Sequence, residues 1–519
     1  MRPLSFFFLP FIFASAPLLL QSAGVWEIDQ DAEWLAAQAT SGDIRIVDGL
    51  IAPSGASGRY RSIVKRFPEK VAAQSITFEQ SPCWLNWDPV DKVLPPTLGD
   101  APIFLSLGPQ NYWAFGLNRA KDHTGGDAVL EGFGLPLKST QHANIFDAPG
   151  AFSGVSGGYH AWQSRDMQNW VHHGAVTPKR AKWTTTAEYH DGKLYIYYDF
   201  PNDQDPHVYV DDDLFDGQPG KDMGMAFDDP SDGSDCAIIR GLDGRFHLIY
   251  EDWSPIDASK HSWDSPLAGH AVSGDGLSDF KILPSAVDER TKPTGTFKEY
   301  PHPHWHAEDP ENYPAKAAPV DIPEHRIKAG DKRAFARYEV HEPEQDAFGD
   351  WAAISIGGQY YLFGDYHPAG ENRWQDMSVA WFTAGDINEP FTFCGNIGTG
   401  HPDPDIGFAE GQFYLFTQTK HDYVSPGPWV ERVEVRVGVD TDNDGQIDDW
   451  TAWQDVKEHY DHIPGFVKQI SRSPAAIDLT TLPEGYGFAF ELQLTDTTEN
   501  ESKPRIDKVA LVFESYRDL

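Results

Sequence analysis

One unit recurs five times along this chain, and it constrains the fold more than any other feature. An acidic or small polar residue opens a short β-type run. About ten residues later a turn containing Gly leads into an aromatic-rich run. Asp100-Ala-Pro-Ile-Phe leads to Tyr112-Trp-Ala-Phe. Trp183-Thr-Thr-Thr-Ala-Glu-Tyr leads through Asp191-Gly192 to Leu194-Tyr-Ile-Tyr-Tyr. Asp235-Cys-Ala-Ile-Ile leads through Asp243-Gly244 to Phe246-His-Leu-Ile-Tyr. Asp350-Trp-Ala-Ala-Ile leads through Gly357-Gly358 to Tyr360-Tyr-Leu-Phe, and His401-Pro-Asp-Pro-Asp-Ile through Glu410-Gly411 to Phe413-Tyr-Leu-Phe. Gly158-Tyr-His-Ala-Trp and Met377-Ser-Val-Ala-Trp read as third strands of their units. A hairpin-rich unit repeated five times predicts an all-β chain with a five-bladed β-propeller over residues 95–425. The first strand of each blade then lines a central channel, and its opening polar residue points into the channel mouth.

The rest of the chain is β-type too. Val433-Glu-Val-Arg-Val-Gly-Val alternates cleanly, and Phe488-Ala-Phe-Glu-Leu-Gln-Leu and Lys508-Val-Ala-Leu-Val-Phe-Glu read as strands. Residues 426–519 are expected to form an accessory β-sandwich. Residues 25–94, with Ile44-Arg-Ile-Val and Ser75-Ile-Thr-Phe, could complete it or pack on the propeller. Helical patterning is confined to residues 31–38 and 456–460. The stretch 282–345, rich in Pro, His and charge, reads as a long loop over one face.

Residues 1–24 have the form of a cleavable signal peptide. Arg2 supplies the positive start, residues 4–20 an apolar run, and Gln21-Ser22-Ala23-Gly24 a small-residue cleavage site. A membrane anchor is the competing reading, but Pro10 and Pro17 interrupt the run. Export, to the periplasm or outside the cell, is therefore expected, without membrane insertion. The net charge is -38, and residues 1–24 contribute one Arg and no acid. So acidic a chain will not bind nucleic acid through bulk charge, and an anionic substrate would need a local basic pocket. A monomer or weak oligomer is expected. Cys83, Cys236 and Cys394 permit at most one disulfide and show no metal spacing, which favours three buried thiols.

Asp100, Asp235 and Asp350 hold the same place in three blades, so a propeller brings them to one face. Converging carboxylates push one pKa up while another stays ionised. That split suits glycosidic cleavage, in which an acid protonates the leaving oxygen and a base activates water. Such residues can also cap strand entrances by accepting backbone N–H bonds.

In these openings the chain resembles the five-bladed propeller glycosidases of family 43 and the related family 117. The resemblance covers residues 98–420. It implies that Asp100, within Asp100-Ala-Pro, is the base, and that Asp235 tunes the acid's pKa. The family's acid is a Glu about ten residues before a Tyr-Tyr-Leu strand. Here Asp350 stands nearest that place, with Glu188, Glu251, His367 or residues 301–312 as substitutes. Ser164-Arg-Asp-Met-Gln-Asn-Trp170 is similar to the stretch that ends the family's first blade. His401, behind Gly398-Thr-Gly400, is similar to a His that approaches an axial metal there, which implies a Ca²⁺ ligand; a His hydrogen-bonded inside the channel is the alternative.

Asp440, Asp442, Asp444 and Asp448 stand at positions 1, 3, 5 and 9 of a run with Gly445 at position 6, the first part of a calcium loop. Thr451 takes the place of the closing Glu, so the run is either a partial Ca²⁺ loop of structural use or an acidic turn. His302, His304 and His306 do not have zinc-ligand spacing.

Three functions remain open from sequence. The first is a secreted glycoside hydrolase acting on a plant or algal wall polysaccharide or its oligosaccharides. The second is a polysaccharide lyase using His160, His172, His173, His190, Tyr189, Arg240 or Arg245 against a uronate. The third is a non-catalytic carbohydrate-binding propeller.

Overall fold

The computed structural model describes residues 24–79, 87–119, 125–151, 158–178, 184–199, 205–228, 235–252, 264–288, 290–291, 346–369, 377–400, 402–425, 432–495 and 504–514. The expected signal peptide, Cys83, residues 301–312 and His401 lie outside this set, as does the side chain of Asp100.

Five antiparallel blades follow one another. Their inner strands are Leu98–Ser106, Thr184–His190, Ala237–Arg240, Ala347–Ile356 and Asp405–Ala409. Each inner strand touches the next, and the fifth touches the first, so the ring is closed. The outermost strand of blade 5 is Asp88–Val90, from ahead of blade 1, paired antiparallel to Asp422–Ser425. One strand from each end of the propeller in a shared sheet is what fastens the ring, since neither end can leave without breaking that ladder.

The turns explain why the sequence unit repeats. Asp191-Gly192, Gly357-Gly358 and Glu410-Gly411 all have positive φ at both positions. Two central residues of that kind give the hairpin turn whose twist matches its strands. The aromatic runs behind the turns are the second strands, and they fill the space between blades with residues such as Trp113, Tyr197, Tyr250, Phe363 and Phe413.

The chain ends build one sandwich together. One sheet orders Gly24–Ile28, Lys508–Phe513, Ala73–Glu79 and Ala475–Asp478. The other is centred on Gly485–Thr495, flanked by Ser57–Ser62 and Val433–Asp440. Val433, Val435, Val437 and Val439 face a core shared with Trp26, Trp34, Tyr60 and Phe490. The alternation in Val433–Asp440 is thus the imprint of one buried face.

Three sequence expectations need correction. Residues 456–460 form no helix; Val456 is buried in the sandwich core and His459–His462 is a strand paired to Gln469–Ser473. Tertiary pairing outweighs a short helical pattern of one turn. The region expected as loop from residue 282 begins as strand Lys281–Val287, the outer strand of blade 3. Cys394 is half-buried in the outer strand of blade 4, whereas Cys236 is buried as expected. The helix at Asp31–Ala36 forms, because Trp34 anchors it in the sandwich core. Among the described residues no helix is long and apolar enough to cross a membrane.

Candidate active site at the propeller mouth

The inner strands begin with a distortion that carries acids out of the sheet. In blade 4, Gly349 pairs with Asp365 and Ala352 with Phe363, so Asp350 and Trp351 both face Gly364. In blade 1, Gly99 pairs with Leu117 and Ile103 with Phe115, so residues 100–102 face Gly116. Extra residues on one strand bend it and free their side chains from the ladder. The backbone of Asp100 therefore occupies in blade 1 the place that Asp350 occupies in blade 4. Asp235, Asp350 and Asp403 all have positive φ, at 55°, 49° and 38°. Asp tolerates that region better than most residues because its short polar side chain can bond locally.

Blades 1 and 4 thus share the bulge and blades 3, 4 and 5 the positive-φ Asp, and the outcome is a cluster of acids. Carboxylate oxygens of Asp350, Asp365 and Asp403 lie within 4.8 Å of one another. Asp365 Oδ1 accepts the backbone N–H of Asp403 at 2.8 Å, and the Gln418 side-chain amide donates to Asp403. Asp264, buried, meets His367 Nε2 at 2.6 Å. Gly349 leaves room for these acids, since a Cβ on it would stand 2.4 Å from Glu251 Oε1 and 2.6 Å from Asp264 Oδ1 and would displace them. Asp235 is joined to blade 4 by its carbonyl oxygen, which accepts the N–H of Trp351 at 3.1 Å.

Burial raises the Asp350 carboxyl well above the ordinary range, and the negative charges of Asp235, Asp403, Asp365 and Asp264 push it further. Burial raises Asp365 in the same way, with Asp403 and Asp264 adding to it. Asp350 is therefore a neutral acid in a ring of carboxylates. Such a group can donate a proton at near-neutral pH. Three oxygens at this spacing could also close on a hard cation, but a cation would lower the carboxyl pKa values and abolish the donor.

At the far end of the inner strands a hairpin from the C-terminal segment joins the blade 4 sheet, with Gln469–Ser473 paired parallel to Ala347–Ile356 at Ser355 and Ile356. Gln469 Nε2 donates to the Arg240 carbonyl oxygen at 2.8 Å, at the end of the blade 3 inner strand. Lys468, buried, donates from Nζ to the Ile238 carbonyl oxygen at 2.8 Å and to Thr186 Oγ1 at 3.3 Å. Its charge faces two buried acids that stitch neighbouring blades. Glu188 accepts the N–H of Arg240, and Asp405 accepts that of Phe104 at 2.6 Å. Burial raises Glu188 to about 7 and Asp405 to about 6, and Lys468 opposes both shifts.

Sequence reasoning and structure overlap in part. Asp235 and Asp350 come together. Glu251 and His367 lie around Asp264 and Gly349, whereas Glu188 sits deeper and faces Lys468. Asp264, Asp365, Asp403 and Lys468 were not foreseen. Asp403 lay in the quoted His401-Pro-Asp-Pro-Asp run, so the blade-opening register could have found it; Lys468 comes from the C-terminal segment and no local pattern marks it. The lyase candidates are dispersed. His160 Nδ1 and His172 Nε2 are 2.8 Å apart inside blade 1, and His172 Nδ1 is 3.2 Å from Asp147. Arg240 bonds the Gly465 carbonyl oxygen at the far end of the channel, and Arg245 pairs with Asp243.

In the sandwich, oxygens of Asp440, Asp442 and Asp444 lie within 4.8 Å of one another. Asp440 also accepts the N–H groups of Asn443 and Gly445, at 2.8 and 2.9 Å. Asp448 turns instead to Thr441, accepting its N–H and its hydroxyl at 2.7 Å each. The donor set that fits a cation is therefore the first three acids, with Asp448 shaping the loop.

No family model matches this chain, and no curated protein matches it. Among solved structures it is similar to an endo-arabinase from Bacteroides thetaiotaomicron, at 10% identity over 65% of this chain and 96% of that one, with a TM-score of 0.37. A GH43_1 enzyme from Xanthomonas citri complexed with xylose shares 13% identity over 65% of this chain and 88% of that one, with a TM-score of 0.36. A thermostable family-43 glycoside hydrolase shares 12% over 63% and 90%, with a TM-score of 0.34. Likeness at this level carries no argument about function; the propeller stands on the chain's own strand order.

Proposed function

We propose that this protein is an exported glycoside hydrolase that cleaves a plant or algal polysaccharide, or its oligosaccharides, by acid–base chemistry at the propeller mouth. The observation that carries the reading is Asp350, a carboxyl held neutral by burial and by four neighbouring acids. Asp350 protonates the departing glycosidic oxygen. Asp235 raises the pKa of that donor, and after turnover Asp350 regains from solvent a proton equivalent to the one that the base releases. Asp100, at the matching place in blade 1, takes the proton of the attacking water; direct displacement by that water inverts the anomeric centre. The decisive experiment compares Asp350→Asn and the parent on an aryl glycoside with an acidic phenol leaving group and on the matching oligosaccharide. Loss on the oligosaccharide with near-normal cleavage of the aryl glycoside supports a proton donor. Equal activity of variant and parent on both removes the reading.

We further propose that Asp440, Asp442 and Asp444 hold a structural Ca²⁺. Three carboxylate oxygens and a Gly at the sharp turn, with φ of 89° at Gly445, support it.

A further inference from the structure

The seam between blades 1 and 5 holds a cavity of about 250 Å³ beside the carboxylate cluster. Gln418 lines it and donates to Asp403, so the cavity and the acids share a wall. Two cations also line it, Lys92 and Arg119. The first is spent: Lys92 Nζ lies 2.7 Å from Asp422 and also donates to the Thr417 carbonyl oxygen. Asp422 further accepts the N–H groups of Val93 at 2.9 Å and Thr417 at 3.0 Å, which fixes this wall in place. Arg119 is different. It is exposed, and its guanidinium has no ion pair with any described residue. It lies directly over Gly99, where a Cβ would stand 1.9 Å from Arg119 Nε. Residue 99 must therefore lack a side chain for the guanidinium to occupy this place. In a chain of net charge -38, this arginine lines a cavity with no described acid paired to it.

We propose that this cavity binds the anionic group of an acidic sugar, a carboxylate or a sulfate ester, with Arg119 as its charged contact. The inference rests on the hydrolase reading for its consequence, which is that the substrate is an acidic polysaccharide; the binding itself does not. A guanidinium offers a planar fork of donors that matches a carboxylate or sulfate bidentately. Leu98, Pro95 and Pro102 supply rigid apolar wall for the C–H face of a sugar ring. The volume is below the roughly 300 Å³ at which drug-sized sites begin, and so admits one sugar residue rather than a chain. The negative field of the whole molecule would repel an acidic polymer, and a local cation beside the acids is what offsets it.

The test is calorimetric or NMR titration of the full-length protein with glucuronate, glucose 6-sulfate and glucose. At least one anionic sugar should bind about tenfold or more tighter than glucose, a difference of about 1.4 kcal/mol. The preferred anion distinguishes a uronate from a sulfate ester. Arg119→Met should remove the preference, and Arg119→Lys should keep only part of it, because an ammonium cannot form the fork. Gly99→Val, which retains the charge but displaces the guanidinium, should weaken it as well. Equal binding of all three sugars, or an unchanged preference in Arg119→Met, overturns the inference. Should the Met variant fold poorly, the parent's preference and the Lys variant decide the matter. Because binding is read without turnover, a protein that prefers the anion through Arg119 but cleaves no glycoside sinks only the hydrolase reading. One that cleaves neutral glycosides with no anion preference sinks only this one.

Discussion

Lys468 Nζ, just ahead of the strand Gln469–Ser473 on the edge of blade 4, bonds the carbonyl oxygen of Ile238 in blade 3 at 2.8 Å. The hairpin of His459–His462 and Gln469–Ser473, which extends the blade 4 sheet, thereby reaches the propeller's interior. It supplies the positive charge that faces Glu188 and Asp405, whose carboxyls bridge blades 2 to 3 and 5 to 1.

Lys468→Met should destabilise the whole chain by about 3 kcal/mol, the cost of leaving buried acids without their cation. Urea unfolding of both proteins checks this. Adding Glu188→Gln should recover part of the loss, and a double-mutant cycle measures how much. Additive effects would mean that the two side chains do not interact.

Asp350→Asn should lower kcat on oligosaccharides by at least about a hundredfold, within the range for loss of a general acid. Since Asn cannot titrate, the limb of the pH–rate profile set by the donor should vanish. Steady-state kinetics from pH 5 to 9 reads both effects.

The pH dependence of stability should be set by two opposed groups of shifted side chains. Burial holds protons on Glu188 to about pH 7 and on Asp405 to about pH 6, and on Asp350 and Asp365 well above the usual range. The unfolded chain releases those protons above about pH 4.5, so stability falls as pH rises toward 7. Buried His247 and half-buried His462 act in the other direction, with values of about 4 caused by desolvation. Their unfolded forms take up protons below about pH 6.5, so stability is lost as pH falls from there to 4. Thermal unfolding across pH 4–9 reads the balance, and Glu188→Gln should reduce the loss of stability between about pH 4.5 and 7.

Calcium should raise the melting temperature, since an ion that binds only the folded loop stabilises it by mass action. Asp444→Asn should shrink the response, with little change in the absence of calcium because Asp444 is exposed. An identical melting curve in calcium and in excess chelator would remove the site.

The turns made much of the fold legible. Asp191-Gly192 and Glu410-Gly411 specify tight hairpins by themselves, and the aromatic runs behind them could only be buried second strands. Asp235 and Asp350 were legible for the same reason, as each opens an inner strand at a fixed distance before such a turn. Asp365 was not, because it ends a second strand, where a polar residue ordinarily faces solvent. Asp264 follows a stretch with no repeat, and Arg119 looks like any surface cation until Gly99 is placed beneath it.

The sequence by itself determined strand identity, blade order and the charge of the mouth, because these follow from periodicity and from residues whose backbone preferences are local. Only the tertiary structure decided which acids meet, that Asp88–Val90 fastens the ring, and that both chain ends share one sandwich. It alone decided that a lysine more than two hundred residues from Ile238 fills the channel. Those outcomes depend on ring closure and on burial, where removal from water changes the cost of a charge. No local pattern records which distant group will be there to offset it.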